Sequence, residues 1–256
     1  MKALAIIPAR FGSSRLEGKP LVDILGKPMI QRVYEQAAKA ISTVFVATDD
    51  VRIKQTVIEF GGNVVMTSAD HQNGTTRCLE AYEKISAAMS ETYDVVINVQ
   101  GDEPMLDPSQ LTDLLVPFKN EKTRMSTLVT PVINPEDLMN ESEAFVILDK
   151  DFRAMYFSRS VIPHVRGLNK AHWMEYHTFY KHVGLYAYTY EALKNFAELP
   201  VSSLERMESL EQNRWIENGN EIYVAITLCD SIPVDTLEDL ERVRAILRDK
   251  PEEEGD

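Results

Sequence analysis

Short unbroken apolar runs alternate along the first half of the chain with stretches whose apolar residues recur every three or four positions. Residues 3–7, 43–48, 63–66 and 93–99 are runs of the kind given by a strand buried on both faces. After Lys27 and Pro28, the apolar positions Ile30, Val33, Tyr34, Ala37 and Ala38 keep helical spacing. A second helix is expected near Val51, capped by Asp49 or Asp50 and ended by Gly61 and Gly62. A loop over 70–74 should lead into a third helix, capped by Thr75 or Thr76 and running to Lys84. Strand and helix alternate at intervals of about 20 residues, which predicts βαβ units and a mainly parallel sheet in an α/β fold.

A helix over 108–117 and a strand over 125–131 continue the pattern, and then the alternation breaks. Strand-like runs at 146–149, 154–157 and 182–190 are separated by irregular polar sequence. The stretch of about 130–190 therefore reads as a lobe added to the main sheet. Residues 204–215 read as one amphipathic helix with Leu204, Met207, Leu210 and Trp215 on its apolar side, and Glu205, Glu208, Glu211 and Gln212 in solvent. A late strand over 222–228 and a charged helix over 236–248 follow, and PEEEGD reads as a solvated tail.

Composition narrows the function more than the fold. The chain has 256 residues, 44% apolar and 26% charged, which suits a globular protein with a full core. No apolar run approaches the ~18 residues of a membrane span. No signal-type stretch is visible, and Cys78 and Cys229 lack metal-type spacing, so the cytoplasm is the expected location. A net charge of −13 argues against nucleic acid as a partner. Against that acidic background the loop after the first run stands out: it carries Arg10, Arg15 and Lys19 among Gly12, Ser13, Ser14 and Gly18. A strand that delivers such a loop at its carboxyl end is how open α/β sheets build phosphate sites. The loop is neither a Walker A sequence, since five residues separate its glycines and Pro20 follows Lys19, nor a GxGxxG. A polar turn with stray charges is the competing reading. At the end of the 93–99 run, QGDEP places Asp102 where a carboxylate can hold Mg²⁺ opposite a phosphate loop. The competing reading there is a turn with a helix-capping Asp.

The string IIPARFGSSRLEGKPL, followed by GKPMIQRVYEQA and VQGDEP, resembles the sugar-activating cytidylyltransferases, and among them those acting on 3-deoxy-manno-octulosonate (Kdo). The resemblance extends to about Arg248. It implies a three-layer nucleotide-diphospho-sugar transferase fold in a single domain, with the lobe carrying the sugar site and much of a homodimer contact. It implies transfer of CMP from CTP to the anomeric hydroxyl of an eight-carbon sugar acid, with release of diphosphate, for lipopolysaccharide synthesis. CTP would meet Ala9, Arg10, Ser13, Arg15, Lys19, Gly74, Thr75, Arg77 and Asp102, with Arg10, Arg15, Lys19 and Asp102 also catalytic. Asp235, in VDTLEDLERV, would join Asp102 on Mg²⁺, although pattern alone also allows a simple helix cap. The sugar would meet Gln100, Ser142, Arg159 of YFSR, His182 and Tyr186 of HVGLY, and Glu211 and Gln212 of LEQNR. The fork of Arg159 suits a sugar carboxylate. The family often has Glu where this chain has Thr76, so no carboxylate role carries over there. His71 beside it reads as an exposed loop histidine.

One segment departs from the family. Where it reads close to NPNxVKVVLD, this chain has Ser142 for an Asn, Phe145 for a Lys, and two added acids, Glu141 and Glu143. Drift on a surface turn is one reading. The other is a preference for a sugar bearing an ammonium, such as 8-amino-Kdo. Two wider alternatives stay open: a cytidylyltransferase for a nine-carbon acid, and a non-catalytic nucleotide-sensing relative.

Overall fold

A computed structural model describes residues 1–12, 16–229 and 232–249. Ser13, Ser14 and Arg15 of the cationic loop and the PEEEGD tail lie outside the described residues. The chain divides into two compact units, one formed by residues 1–108 with 231–256 and the other by 109–230. The expected lobe of about 130–190 falls inside the second. Among the described residues, no helix is long and apolar enough to cross a membrane.

The first unit is built on β1 (Ala3–Ala9), in which Leu4, Ala5, Ile6 and Ile7 are wholly buried. A two-residue ladder, β2 (Asp23–Ile24) with β3 (Lys27–Pro28), leads into α1 (Met29–Ala40). Then come β4 (Val44–Thr48), α2 (Val51–Glu59), β5 (Val64–Met66), α3 (Gly74–Met89) and β6 (Val95–Asn98). The four longer strands run parallel in the order β6-β1-β4-β5, with Ala9 level with Thr48 and Ile6 level with Asn98. Parallel strands need crossover connections, and here helices supply them, which is why the two hydrophobic periods alternate. α1 buries Met29, Ile30, Val33 and Ala37. Asp50 caps α2 by accepting from the Arg52 N–H at 2.8 Å, and Gly61, at φ +80°, turns the chain at its end. The cap of α3 is Asn73, whose side chain accepts from the Thr76 N–H at 2.9 Å, and not Thr75 or Thr76. In the run NGTT the Asn73 side-chain oxygen meets the amide three residues on, and Thr75 falls in the buried first turn.

The second unit holds α4 (Pro108–Leu115), β7 (Met125–Pro131), β8 (Phe145–Leu148), β9 (Ala154–Ser158), β10 (Tyr180–Tyr188), α5 (Tyr190–Glu198), α6 (Ser203–Glu208), α7 (Asn213–Glu217) and β11 (Tyr223–Ile226). β11 runs parallel to β7, whereas β10 pairs antiparallel with β7 and β8, and β8 with β9. The expected single helix over 204–215 is two helices. Ser209 sits in the left-handed region at φ +53° and ends α6, and Met207, expected on the apolar side, is 79% exposed. α8 (Leu237–Asp249) returns to the first unit, where Leu240, Val243 and Val234 pack on Ile24 and Met29.

Candidate active site

The carboxyl ends of β1 and β6 and the start of α3 open onto one cavity of about 320 Å³ in the first unit. Ala9, Arg10, Lys19, Gly74, Arg77, Gln100, Asp102 and Asp235 line it, beside Pro8, His71 and Asn73. Ligands of open parallel sheets bind at this edge, because the loops leaving adjacent strands diverge there. Gly101 shows how closely the loops pack: a Cβ on it would lie 3.0 Å from the Pro8 carbonyl oxygen. The backbone of Asp102 is tied down as well, its carbonyl accepting from the Val234 N–H at 2.9 Å. That bond brings the segment before α8, and with it Asp235, to the loop after β6.

Asp235 is not the cap of α8. The Asp239 carboxylate accepts from the Thr236 N–H at 2.8 Å while the Thr236 hydroxyl accepts from the Asp239 N–H at 3.2 Å, a reciprocal capping box. The Asp235 carboxylate instead meets Lys19. The Lys19 ammonium donates to Asp102 Oδ2 at 2.6 Å and to Asp235 Oδ1 at 2.8 Å, and its side chain is only 11% exposed. Residues 83 and 216 positions apart in sequence from Lys19 thus share one cation.

Arg77 is 3% exposed; its guanidinium donates to the Thr67 hydroxyl at 2.6 Å and lies 3.3 Å from Asp49. Arg10 stands exposed at the rim. Thr75 is buried in α3 and is not among the lining residues. His71 differs from its expected exposed state. Its Nε2 bonds Glu80 and its Nδ1 lies 3.1 Å from the Thr76 hydroxyl. Burial opposes ionisation of Glu80, but hydrogen bonds from Lys84, the Ser68 N–H and His71 outweigh it and hold the carboxyl down to about 2. This clasp shapes the wall formed by residues 71–74. Partners nine residues apart leave no periodic signal, so the sequence offers no pointer to it.

The candidate sugar residues of the second unit gather around β10 and the α6–α7 break. His182 Nε2 lies 2.9 Å from the Thr127 hydroxyl, with its ring against Phe157 and Tyr186. The Tyr186 hydroxyl donates to Gln212 Oε1 at 2.9 Å. Gln212 is 2% exposed, and among the described residues its Nε2 has no hydrogen-bond partner. Burial, with Glu211 adding to it, raises the Tyr186 pKa well above its usual range. Arg159 is engaged by backbone: it donates to the carbonyls of Glu208 and Ser142, each at 2.9 Å. Glu208, expected in solvent, accepts from Tyr156 at 2.9 Å, Ser158 at 2.8 Å and the Arg159 N–H at 2.9 Å. Glu205 is likewise paired, with Arg214. Glu205 also closes a capping box with Ser202 at the start of α6.

Burial pushes His182 down to about 3, so the folded protein holds it neutral. The unfolded chain takes up a proton below its ordinary value of 6.5. Stability from this group is therefore fully present above pH 6.5 and falls as the pH drops toward about 3. Denaturant melts at stepped pH should show that loss, and His182→Gln should flatten it; an unchanged slope in the variant contradicts the assignment.

The departing segment resolves in part. Phe145 is 1% exposed and packs with Val132, Leu138, Trp173 and Phe179, so it is a core residue and not surface drift. Glu141 and Ser142 are exposed. Glu143 lies 4.0 Å from the Lys181 ammonium, which is also 3.8 Å from Asp137.

Residues 4–222 match the family of cytidylyltransferases. The chain belongs to the cytidylyltransferase family. It is 50% identical over 254 residues to the 3-deoxy-manno-octulosonate cytidylyltransferase of Parabacteroides distasonis, covering 98% of this chain and 100% of that protein. Among solved structures it is similar to a CMP:2-keto-3-deoxy-manno-octonic acid synthetase complexed with CTP, with a TM-score of 0.88 at 42% identity over 97% of this chain and 99% of that one. A glucose-1-phosphate thymidylyltransferase from Bacillus anthracis, at 17% identity and a TM-score of 0.65 over 97% and 96% of the two chains, shares the fold. The α/β fold is thus of the nucleotide-diphospho-sugar transferase type, and the cytidylyltransferase is a nucleotidyltransferase enzyme.

Proposed function

We propose that this cytidylyltransferase transfers CMP from CTP to the anomeric hydroxyl of Kdo, releasing diphosphate, for lipopolysaccharide synthesis. The observation that carries the proposal is the strand-end cavity, where Arg10, Lys19 and Arg77 meet the Asp102–Asp235 pair in a chain of this family. The sugar oxygen attacks the α-phosphorus, the bond to the leaving diphosphate breaks, and the hydroxyl proton passes to water. Such chemistry rests on positioning and on stabilising spread charge. Ala9 and Arg10 would hold the nucleoside, Gly74 and Arg77 its flank, and Arg10, Arg15 and Lys19 the triphosphate. Two carboxylates already gathered about one cation are a hard-oxygen pair of the kind Mg²⁺ takes beside water and phosphate, so Asp102 and Asp235 fit this ion. When bound, it would neutralise phosphate charge and polarise the reacting group.

Gln100, Ser142, Arg159, His182, Tyr186, Glu211 and Gln212 are our candidates for the sugar. The unpartnered Gln212 Nε2 supports this reading, since a buried amide donor calls for an acceptor and sugar oxygens supply one. Kdo itself is favoured over its 8-amino analogue because Lys181 already faces Glu143 and Asp137, leaving less call for a ligand ammonium. A homodimer in the cytoplasm completes the proposal. Diphosphate release with CTP, Mg²⁺ and a panel of sugar acids tests it. Kdo should turn over fastest; faster release with 8-amino-Kdo or a nine-carbon acid reassigns the sugar, and release with none of them rejects the activity.

A further inference from the structure

The Lys19 ammonium spans the two carboxylates that fit a divalent ion, and it does so through one oxygen of each. The approach is close at both ends, and the lysine side chain is mostly buried. Two carboxylates this near each other repel, and a cation between them relieves the repulsion. The backbone of Lys19 is fixed: it follows Gly18 in the left-handed region at φ +66° and opens the turn Lys19–Leu21. Its four-carbon stem is not fixed in the same way, because lysine is a compact charge on a flexible tether. The same side chain lines the cavity that Arg10 and Arg77 also line.

We propose that Lys19 is an internal competitor of the divalent cation, holding Asp102 and Asp235 together before the ion arrives and leaving them when it binds. The inference rests on the reading of those two residues as the ion's ligands. An ammonium and a divalent cation cannot share the same carboxylate oxygens without strong repulsion between them. Entry of the ion therefore turns the lysine out, and an anionic triphosphate in the same cavity gives it a second partner. The residue then has two successive tasks: it preserves the carboxylate pair in the resting protein, and afterwards it supplies positive charge to the nucleotide. Metal uptake by the nucleotide-free protein should be weak for this reason, since the ion must first displace a tethered counter-charge.

The test is Mn²⁺ binding to the nucleotide-free protein, followed by electron paramagnetic resonance of the free ion. Unmodified protein, Lys19→Met, Lys19→Gln, Lys19→Arg, Asp102→Asn and the double variant Lys19→Met with Asp102→Asn are compared. Removing the competing charge should tighten Mn²⁺ about tenfold or more in Lys19→Met and Lys19→Gln, but not in Lys19→Arg. The gain should vanish in the double variant. Melting gives a second readout: both neutral variants should melt lower than the unmodified protein without metal and recover on adding Mn²⁺. If neutral variants bind Mn²⁺ no tighter while Asp102→Asn abolishes binding, the competition is overturned and the ligand assignment stands. If Asp102→Asn leaves Mn²⁺ binding unchanged, the ligand assignment fails and the competition fails with it.

Discussion

Asp102→Asn is expected to lower diphosphate release about a thousandfold at saturating Mg²⁺ while leaving the fold intact. The change keeps the shape of the side chain and removes its charge. The backbone contacts that hold this loop do not depend on that charge. The Asp102 carbonyl accepts from the Val234 N–H, and Gly101 keeps its close approach to Pro8. Lys19 also retains Asp235 at 2.8 Å, so its ammonium is not stranded. What is lost is half of the anionic pair that fits the divalent ion, and with it the stabilisation of charge developing on the phosphates. Steady-state turnover beside an unchanged melting curve would check the prediction. Near-normal turnover would remove Asp102 from the site.

Gln212→Leu should raise the KM for the sugar about tenfold to a hundredfold, with CTP binding unaltered. Leucine keeps the buried volume, and the Tyr186 hydroxyl loses its acceptor at 2.9 Å. The decisive loss, however, is Nε2, the buried donor that meets no group among the described residues. If that donor bonds the sugar, its removal weakens one substrate alone. A Tyr186→Phe variant isolates the other half of the pair: it frees Oε1 but leaves Nε2, so its effect on the sugar should be smaller. Isothermal titration of CTP and initial rates against sugar concentration separate the two substrates. Equal KM values in Gln212→Leu and the unmodified protein would place the sugar elsewhere.

The parts of this molecule that could be read from sequence are those held by short-range patterns. Burial on both faces writes Ala3–Ala9 and Val95–Asn98 as unbroken apolar runs, and their ends mark the cavity. Asp102 stands out because it follows such a run within a few residues. Over 204–215 helical spacing tests phase and not continuity, and a single left-handed residue, Ser209, leaves no mark on the pattern. Glu208 meets Tyr156, Ser158 and the Arg159 N–H about 50 positions away, which helical spacing cannot signal. The pairing of Lys19 with Asp235 spans 216 positions and has no local signature. For Asp235, pattern alone offers a helix cap, and metal binding comes only from the family resemblance. The choice needed the reciprocal bonds of Thr236 and Asp239, which occupy the cap and leave the neighbouring carboxylate to face the cavity.

The central claim, that a sugar hydroxyl attacks the α-phosphorus of CTP, is tested most directly by following an oxygen label. Kdo freshly labelled with ¹⁸O at its anomeric hydroxyl is incubated with CTP, Mg²⁺ and the protein, and the product is read by ³¹P nuclear magnetic resonance before the label exchanges with water. The account predicts a CMP–sugar conjugate whose phosphorus signal carries the isotope shift of a bridging ¹⁸O, together with unlabelled diphosphate. A conjugate without the label, or diphosphate release with no conjugate formed, would contradict it.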